Sequence, residues 1–395
     1  MTSKTKLITR TVWILSLVSL FTDTASEMLY PVMPIYLKSI GFSIVLIGIL
    51  EGLAEAVAGL SKGYFGSLSD SMQRRVPFVQ LGYSLSALSK PILSFFVFPV
   101  WVFFARTLDR LGKGIRTGAR DAILSSEATK ATKGSIFGFH RSMDTIGAVI
   151  GPSFALLYLN FFPEHYQQLF YIAFVPGVMA ICASLFLKEK KTAARIPKAT
   201  HNFFSFLNYW KQCNSNYKKV VLGLLAFALF NSSDVFLLLK AKQSGLSDSM
   251  VIGIYIFYNL VYAIAAFPIG LLADKIGLKN ILIFGLLLFS LVYLGIAFAN
   301  STIVYLILFL LYGIYAAATE GISKAIISNI SNPTETATAI GTFAAFQSIC
   351  ALMASLIAGI LWFEFGIPVT FIVTGIATLF VIFYFIFMDI KTSPK

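Results

Sequence analysis

Of the 395 residues, 57% are hydrophobic and only 12% charged, and the mean hydropathy is +0.80. A water-soluble domain carries roughly twice that charged fraction, so this composition excludes a soluble fold and asks for lipid as solvent. The net charge of +13 would suggest nucleic acid in a soluble chain, but here the basic residues fall in short loops between apolar runs, with no aromatic–basic interleaving.

At the N-terminus, Lys4, Lys6 and Arg10 precede an apolar run from Val12. That pattern imitates a signal peptide, yet Asp23 and Glu27 interrupt the cleavage region and the apolar run continues to Leu37, so a first transmembrane helix is expected. Segments of spanning length are predicted at 11–37, 44–68, 76–96, 98–122, 134–160 and 166–187. A polar, basic stretch from Lys188 to about Lys219 follows, holding Phe203, Phe204, Phe206, Leu207, Tyr209 and Trp210 beside Lys211. This composition suits a short amphipathic helix at the membrane surface, or a partner-binding segment. The second series is predicted at 220–240, 249–273, 279–299, 302–327, 336–361 and 367–389. The expected fold class is therefore an all-α membrane protein of twelve transmembrane helices, with an N-terminal bundle at 1–187, a linker at 188–219 and a C-terminal bundle at 220–395.

Loop charge orients the chain. Arg74, Arg75, Lys130, Lys133, the central stretch, Lys275 and Lys279 lie on one set of connections, while the other set carries little beyond Lys38, Lys240 and Lys242. The positive-inside rule then puts both termini and the linker in the cytoplasm. Cys182, Cys213 and Cys350 are scattered, with no CxxC and no His at ligand spacing, so neither a disulfide framework nor a metal or other cofactor is expected.

An internal repeat is visible. Gly66-Ser-Leu68-Ser-Asp70-Ser-Met-Gln73-Arg74-Arg75 closes the second predicted helix, and Gly270-Leu-Leu272-Ala-Asp274-Lys-Ile-Gly277-Leu-Lys279 closes the eighth. Asp70 and Asp274 stand 204 positions apart, and the same offset pairs Arg116 with Glu320 and Arg120 with Lys324. Both segments resemble the loop motif of the major facilitator superfamily, G-x-L-a-D-r-x-G-r-K, at the two places that family puts it. The first copy departs from it, with Gln73 where the pattern has glycine, which predicts a less tight turn. The resemblance covers essentially the whole chain and implies two six-helix halves related by pseudo-two-fold symmetry, working by alternating access as a monomer. It also assigns Asp70, Arg74, Arg75, Asp274, Lys279, Arg116 and Glu320 to gating: glycines let helix ends approach, and the aspartate latches neighbouring helices beside cationic loop residues.

Two further stretches resemble a prokaryotic subgroup of the family associated with iron-chelate uptake: Asp23-Thr-Ala-Ser26-Glu27-Met-Leu-Tyr30-Pro31, and Asp109-Arg110-Leu-Gly112-Lys113-Gly114-Ile-Arg116. Gly147-Ala-Val-Ile-Gly151-Pro152 resembles the motif of the family's drug/proton antiporters but lacks its closing glycine pair. Small residues four apart also allow close helix packing with no transport meaning.

Ionised groups at bilayer depth are costly and hence functional candidates. The first half is rich in them: Asp23 and Glu27 share one helix face, as do Glu51 and Glu55. Lys62 follows in helix two, helix four carries Arg106, Asp109, Arg110 and Lys113, and helix five carries His140, Arg141 and Asp144. At about 1.5 Å per residue, Asp23, Arg106 and Asp144 fall near mid-membrane. The family resemblance lines the cavity with helices one, four, seven and ten, which implies that Asp23, Glu27, Arg106 and Arg110 face substrate. Two arginines one turn apart present planar, permanently charged forks that suit an organic anion or a metal held in an anionic chelate. Ion pairing alone accounts for Lys62, Glu51 and Asp109. Glu27, Asp144, Glu55 and Asp23 are candidates for proton coupling, because burial and a nearby arginine pull a carboxylate's protonation in opposite directions. His140 is either a proton relay or a packing histidine. The second half offers Asn231, Ser232 and Asp234 in helix seven, and Tyr312, Tyr315, Glu320 and Lys324 in helix ten. Asn231, Tyr312 and Tyr315 are candidates for neutral contacts to substrate, and Glu320 and Lys324 are spaced to pair with each other.

The leading expectation is a proton-coupled symporter of the cytoplasmic (inner) membrane that takes up an anionic solute such as an organic acid, ferric citrate or a siderophore. The alternative is a proton-driven exporter of amphipathic compounds, which calls for cationic ligands and an aromatic-lined pocket. A third possibility, a non-transporting membrane sensor, calls for a sizeable soluble domain, and no segment is long enough for one. No zinc-protease, nucleophile-elbow or phosphate-loop motif occurs, so no enzymatic activity is expected.

Overall fold

The computed structural model describes residues 7–189, 203–204 and 206–388. Lys4, Lys6, residues 190–202 of the linker and the side chain of Glu51 lie outside the described residues. The described chain is all-helical. The first crossing is α1 (Arg10–Leu29) followed by α2 (Met33–Ser39). Next come α3 (Ile44–Met72), α4 (Val76–Leu93), α5 (Pro99–Glu127), α6 (Lys133–Phe161) and α7 (Tyr166–Ser184). After α8 (Phe206–Gln212), the second series is α9 (Ser215–Ala228) with α10 (Val235–Gln243), α11 (Asp248–Ile276), α12 (Leu278–Phe298), α13 (Thr302–Ile330), α14 (Thr336–Phe365) and α15 (Ile367–Phe387). Each of the twelve predicted spans finds its helix or broken helix within a few residues.

Among the described residues, eight of these crossings are long and apolar enough to span a membrane by length and composition alone. The four that fall short are α3, α4, α5 and the broken α9–α10. Of these, α5 is crowded with charge from Arg106 to Asp121. Large apolar side chains such as Phe363, Phe380 and Ile303 point outward, exposed by 70% or more, which is the surface expected of helices bathed in lipid.

Local chemistry repeats at the 204-residue offset. Ser43 caps α3 by accepting from the Leu46 N–H at 3.1 Å, and Ser247 caps α11 by accepting from Met250 at 3.3 Å. Two residues before each cap, a glycine takes positive φ, Gly41 at 91° and Gly245 at 94°. At the other end of these helices, Gly277 sits at φ 102° and Gln73 at 51°. The predicted loosening of the first turn is therefore corrected: Gln73 adopts the left-handed conformation itself, and its side-chain amide donates to the Asp70 carbonyl. A non-glycine residue there costs roughly 1–2 kcal/mol.

The first and seventh crossings are both broken. Pro31 removes one N–H and ends α1, leaving Tyr30-Pro31-Val32 before α2. In the seventh crossing, Asn231-Ser232-Ser233-Asp234 interrupts the helix between α9 and α10. Side chains of this kind compete with helical hydrogen bonds. The sequence reading treated both crossings as continuous.

Two compact units are formed. The first contains Met1–Thr129, Met143–Gln212 and Asn332–Ala345. Beneath the break in its first crossing, Met28, Leu29, Met33, Tyr36, Leu93 and Phe170 form an apolar core, with the Tyr36 and Phe170 rings meeting edge-on at 4.9 Å. Phe206 of α8 is buried against Gly63 of α3, where an added Cβ would stand 2.7 Å from its ring. The aromatic run of the linker thus docks on a helix, with Phe203 and Phe204 remaining exposed. The second unit contains Lys130–Ser142, Cys213–Ser331 and Phe346–Lys395.

Candidate functional site

In the first unit, α1 and α6 approach through glycine. An added Cβ at Gly147 would meet the Leu20 carbonyl at 2.5 Å and the Asp23 Cβ at 3.0 Å, and one at Gly151 would meet the Thr24 carbonyl at 2.6 Å. The Gly147/Gly151 stripe therefore works as a packing surface. It brings Asp144 against Asp23, close enough for each carboxyl to act on the other. The Ser19 hydroxyl donates to Asp144 Oδ1, and Arg120 reaches the same hydroxyl at 3.4 Å. Glu27 and Lys113 complete the electrostatic surroundings of Asp23.

Beside this pair lies a network centred on α5. Lys90, buried on α4, donates to Asp109 Oδ1 at 2.7 Å and to the Ser26 hydroxyl at 3.1 Å. Arg106 stands 4.0 Å from the other Asp109 oxygen, and Arg110 stands 3.6 Å from Glu55. Arg106 and Asp109 are buried, whereas the Glu55 side chain is 50% exposed. Lys113 is exposed, and Arg110, Glu27 and Asp23 are partly so. Charged groups that keep solvent access midway along crossing helices line a wet face, because lipid would not tolerate them. Arg116 lies away from that face, donating to the Ser86 hydroxyl at 2.6 Å with its guanidinium 4.6 Å above the Tyr83 ring.

In the second unit, the break between α9 and α10 places Asp234 among tyrosines. Tyr312 donates to Oδ1 at 2.6 Å and Tyr258 to Oδ2 at 2.7 Å. Asn231 donates to the Tyr315 hydroxyl at 3.2 Å. The rings of Tyr258 and Tyr312 are 5.4 Å apart, those of Tyr312 and Tyr315 5.2 Å, and Phe289 packs on Tyr315 at 4.9 Å.

Both motif aspartates bind helix N-termini. Asp70 accepts from the Thr338 backbone N–H at 2.7 Å, from the Thr338 hydroxyl at 2.9 Å and from Arg75 at 3.1 Å. Asp274 accepts from the backbone N–H groups of Gly134 and Ser135, both at 2.8 Å, and from the Ser135 hydroxyl. The receiving groups lie in the first turns of α14 and α6, where free N–H groups and the helix dipole favour an anion. Glycines make the approach possible: a Cβ on Gly66 would meet the Ala337 carbonyl at 2.4 Å, and one on Gly270 the Gly134 carbonyl at 2.3 Å.

Comparison with known proteins assigns the architecture. The Major Facilitator Superfamily profile matches residues 15–258 and 220–395. An uncharacterised MFS-type transporter of Methanocaldococcus jannaschii is 34% identical over 387 residues, 95% of each chain. The chain belongs to the major facilitator superfamily. It is thus a multi-pass membrane protein and a secondary transporter of some small molecule, not an enzyme. More distant relatives include the multi-drug resistance efflux pump PmrA of Streptococcus pneumoniae, 23% identical over 71% of each chain. Among solved structures, the human organic anion transporter MFSD10 superposes with a TM-score of 0.83 at 16% identity, covering 95% of this chain and 99% of that one. The Escherichia coli fucose:proton symporter FucP gives 0.73 at 13% identity, covering 95% and 98%.

Within this superfamily frame, the residues singled out from sequence separate into groups. Asp23, Glu27, Asp144, Glu55, Arg106 and Arg110 come together in the first unit. Asn231, Tyr312 and Tyr315 come together in the second, around a carboxylate. Asp70, Arg75 and Asp274 stand at the motif contacts, Arg74 is exposed, and Lys279 donates to the Met388 carbonyl at 2.7 Å. The suggested Glu320–Lys324 pairing is corrected: Glu320 accepts from Arg141 at 2.8 Å. His140 is buried at 2% exposure. Sequence reasoning missed Lys90, whose signal was a lone lysine in an otherwise uncharged helix, and it left Asp234 and Tyr258 out of the binding set.

Proposed function

We propose that the chain is a proton-coupled carrier of an organic anion, with its proton site at Asp23–Asp144 and its anion site on the Arg106–Arg110 face. The observation that carries this reading is the close approach of the two carboxyl-bearing residues, which Gly147 and Gly151 allow by letting α6 lie against α1. Two like charges brought that close disfavour each other, so one carboxyl of such a pair takes up a proton readily. Taking up that proton removes one negative charge beside Lys113, which shares α5 with Arg110 and Arg106, so the cations on α5 turn their field towards an incoming anion. Losing it restores the carboxylate, which competes for the same cations and expels the solute. Proton and anion then travel together, and the sequence halves 1–187 and 220–395, joined by the linker, alternate access with both termini in the cytoplasm. Inward movement of an organic acid or ferric chelate follows from the direction of a proton gradient across a cytoplasmic membrane.

Drug export is a second reading, supported by the aromatic-lined carboxylate Asp234 and by the similarity to PmrA pumps. Ligand charge separates the two. Citrate and ferric citrate should raise the melting temperature of the purified protein, less so in Arg106→Gln and Arg110→Gln. In Asp144→Asn the citrate response should lose its pH dependence. Anion stabilisation indifferent to both arginines, or stabilisation by lipophilic cations alone, would overturn the symport reading.

A further inference from the structure

We infer that Asp234, Tyr258, Tyr312 and Asn231, all in the second unit, form a binding site for an organic ammonium group. Among the described residues no cation stands within salt-bridge reach of Asp234: its partners are the two tyrosine hydroxyls, and the charged side chain acting on it is another carboxylate, Glu320. The contrast with the first unit is sharp, since Asp109 holds Lys90 at 2.7 Å and Asp121 holds Arg120 at 2.9 Å. A carboxylate left among transmembrane helices without a counter-charge is costly, and a ligand that supplies the missing charge recovers that cost.

Three features select an ammonium over other cations. Asp234 keeps part of its surface exposed, although Tyr258, Tyr312 and Tyr315 around it are each less than 10% exposed. The residue that carries the carboxylate is therefore more accessible than the tyrosines around it. The two tyrosine hydroxyls donate their protons to Asp234, and Asn231, whose side-chain N–H₂ donates to Tyr315, carries a side-chain carbonyl. An N–H-bearing ammonium can donate to such a set. Beyond the acceptors stand ring faces, with Tyr258, Tyr312 and Tyr315 within 5.5 Å of their neighbours. Aromatic faces attract organic cations and suit a ligand with an apolar body.

The site goes beyond the anion reading and stands whatever that test returns, since the two use different probes and different variants. In thermal-shift titrations of the purified full chain, benzylammonium is expected to stabilise wild type and the neutral isostere benzyl alcohol is not. Asp234→Asn should weaken the benzylammonium response by on the order of tenfold or more, as expected for loss of a charge-assisted contact, and Arg106→Gln should leave it unchanged. Equal responses to benzylammonium and benzyl alcohol, or an Asp234→Asn response equal to wild type, would overturn the proposal. An Asp234-dependent response to sodium chloride matching that to benzylammonium would overturn it in favour of an alkali-cation site. Should Asp234→Asn not fold, wild type answers alone: benzylammonium must protect Asp234 from modification by a hydrophobic carbodiimide, read by mass spectrometry, and unchanged labelling refutes the site.

Discussion

Replacing Asp274 by asparagine isolates what one charge does at a superfamily motif. The carboxylate holds two backbone N–H groups at 2.8 Å and one hydroxyl, all in the first turn of α6. Asparagine keeps one oxygen acceptor but must turn its amide N–H₂ towards a second donor, so one charge-assisted hydrogen bond is lost. Such a bond contributes about 1.5–3 kcal/mol. The charge itself, beside a helix N-terminus, contributes a further ~0.3–1 kcal/mol. Asp274 is partly exposed, so water replaces some of this, and a net loss of about 2 kcal/mol is expected, or ~30-fold in the equilibrium between latched and released states. Ile136, 1% exposed one residue beyond the latch, reports release. In a cysteine-free background, maleimide should label Ile136→Cys about 30-fold faster when Asp274→Asn is added. Labelling within twofold of the parent, in a variant that remains folded, would show that the latch does not hold this turn.

Two further perturbations probe the first unit. Asp109→Leu leaves Lys90 buried without its carboxylate and should cost about 3–5 kcal/mol in thermal unfolding. Lys90→Met should cost less, since Arg106 remains 4.0 Å from Asp109, and the double variant should recover most of the loss, because both charges are then gone. At the start of α4, Glu189 accepts from the N–H groups of Arg75 at 3.0 Å and Val76 at 2.8 Å. Glu189→Ala should loosen that helix start by about 1 kcal/mol, seen as roughly fivefold faster amide exchange at Val76, with exchange in the middle of α4 unchanged.

The spans were legible because lipid leaves no alternative. Twenty apolar residues in a row can satisfy their backbone only as a helix, and the ends are marked by Ser43, Ser247 and paired glycines whose chemistry is local. The breaks in the first and seventh crossings were illegible for the opposite reason. Pro31 and Asn231-Ser232-Ser233-Asp234 are short interruptions inside long apolar runs, and hydropathy averages them away. The charged candidates could be named, since ionisable residues in such runs stand out, but their partners could not. Lys90 meets Asp109 from another helix, and Asp144 meets Asp23 only because Gly147 and Gly151 let α6 lie against α1. Pairing of this kind is set by helix azimuth and crossing distance, which no spacing along one helix encodes.

The repeat offset carries more physical information than the motif it exposed. Asp70 and Asp274 differ by 204 positions, whereas the residues that give each of them both an N–H and a hydroxyl, Thr338 and Ser135, differ by 203. Yet the receiving segments, Thr336-Ala-Thr-Ala and Lys133-Gly-Ser-Ile, share little sequence. Backbone N–H groups explain the disparity: any residue but proline presents one, so the acceptor aspartate is constrained while its donors are free to vary. The constraint that does reach the donor side is steric. Gly66 and Gly270 must stay small because each lies within 2.5 Å, at its notional Cβ, of a carbonyl in the first turn it faces. A latch built from one carboxylate, one glycine and a helix start that shares only a small hydroxyl residue, Thr338 or Ser135, gives a motif on one side and a single weak signal on the other. The aspartates could therefore be found from the sequence while the helices they hold could not.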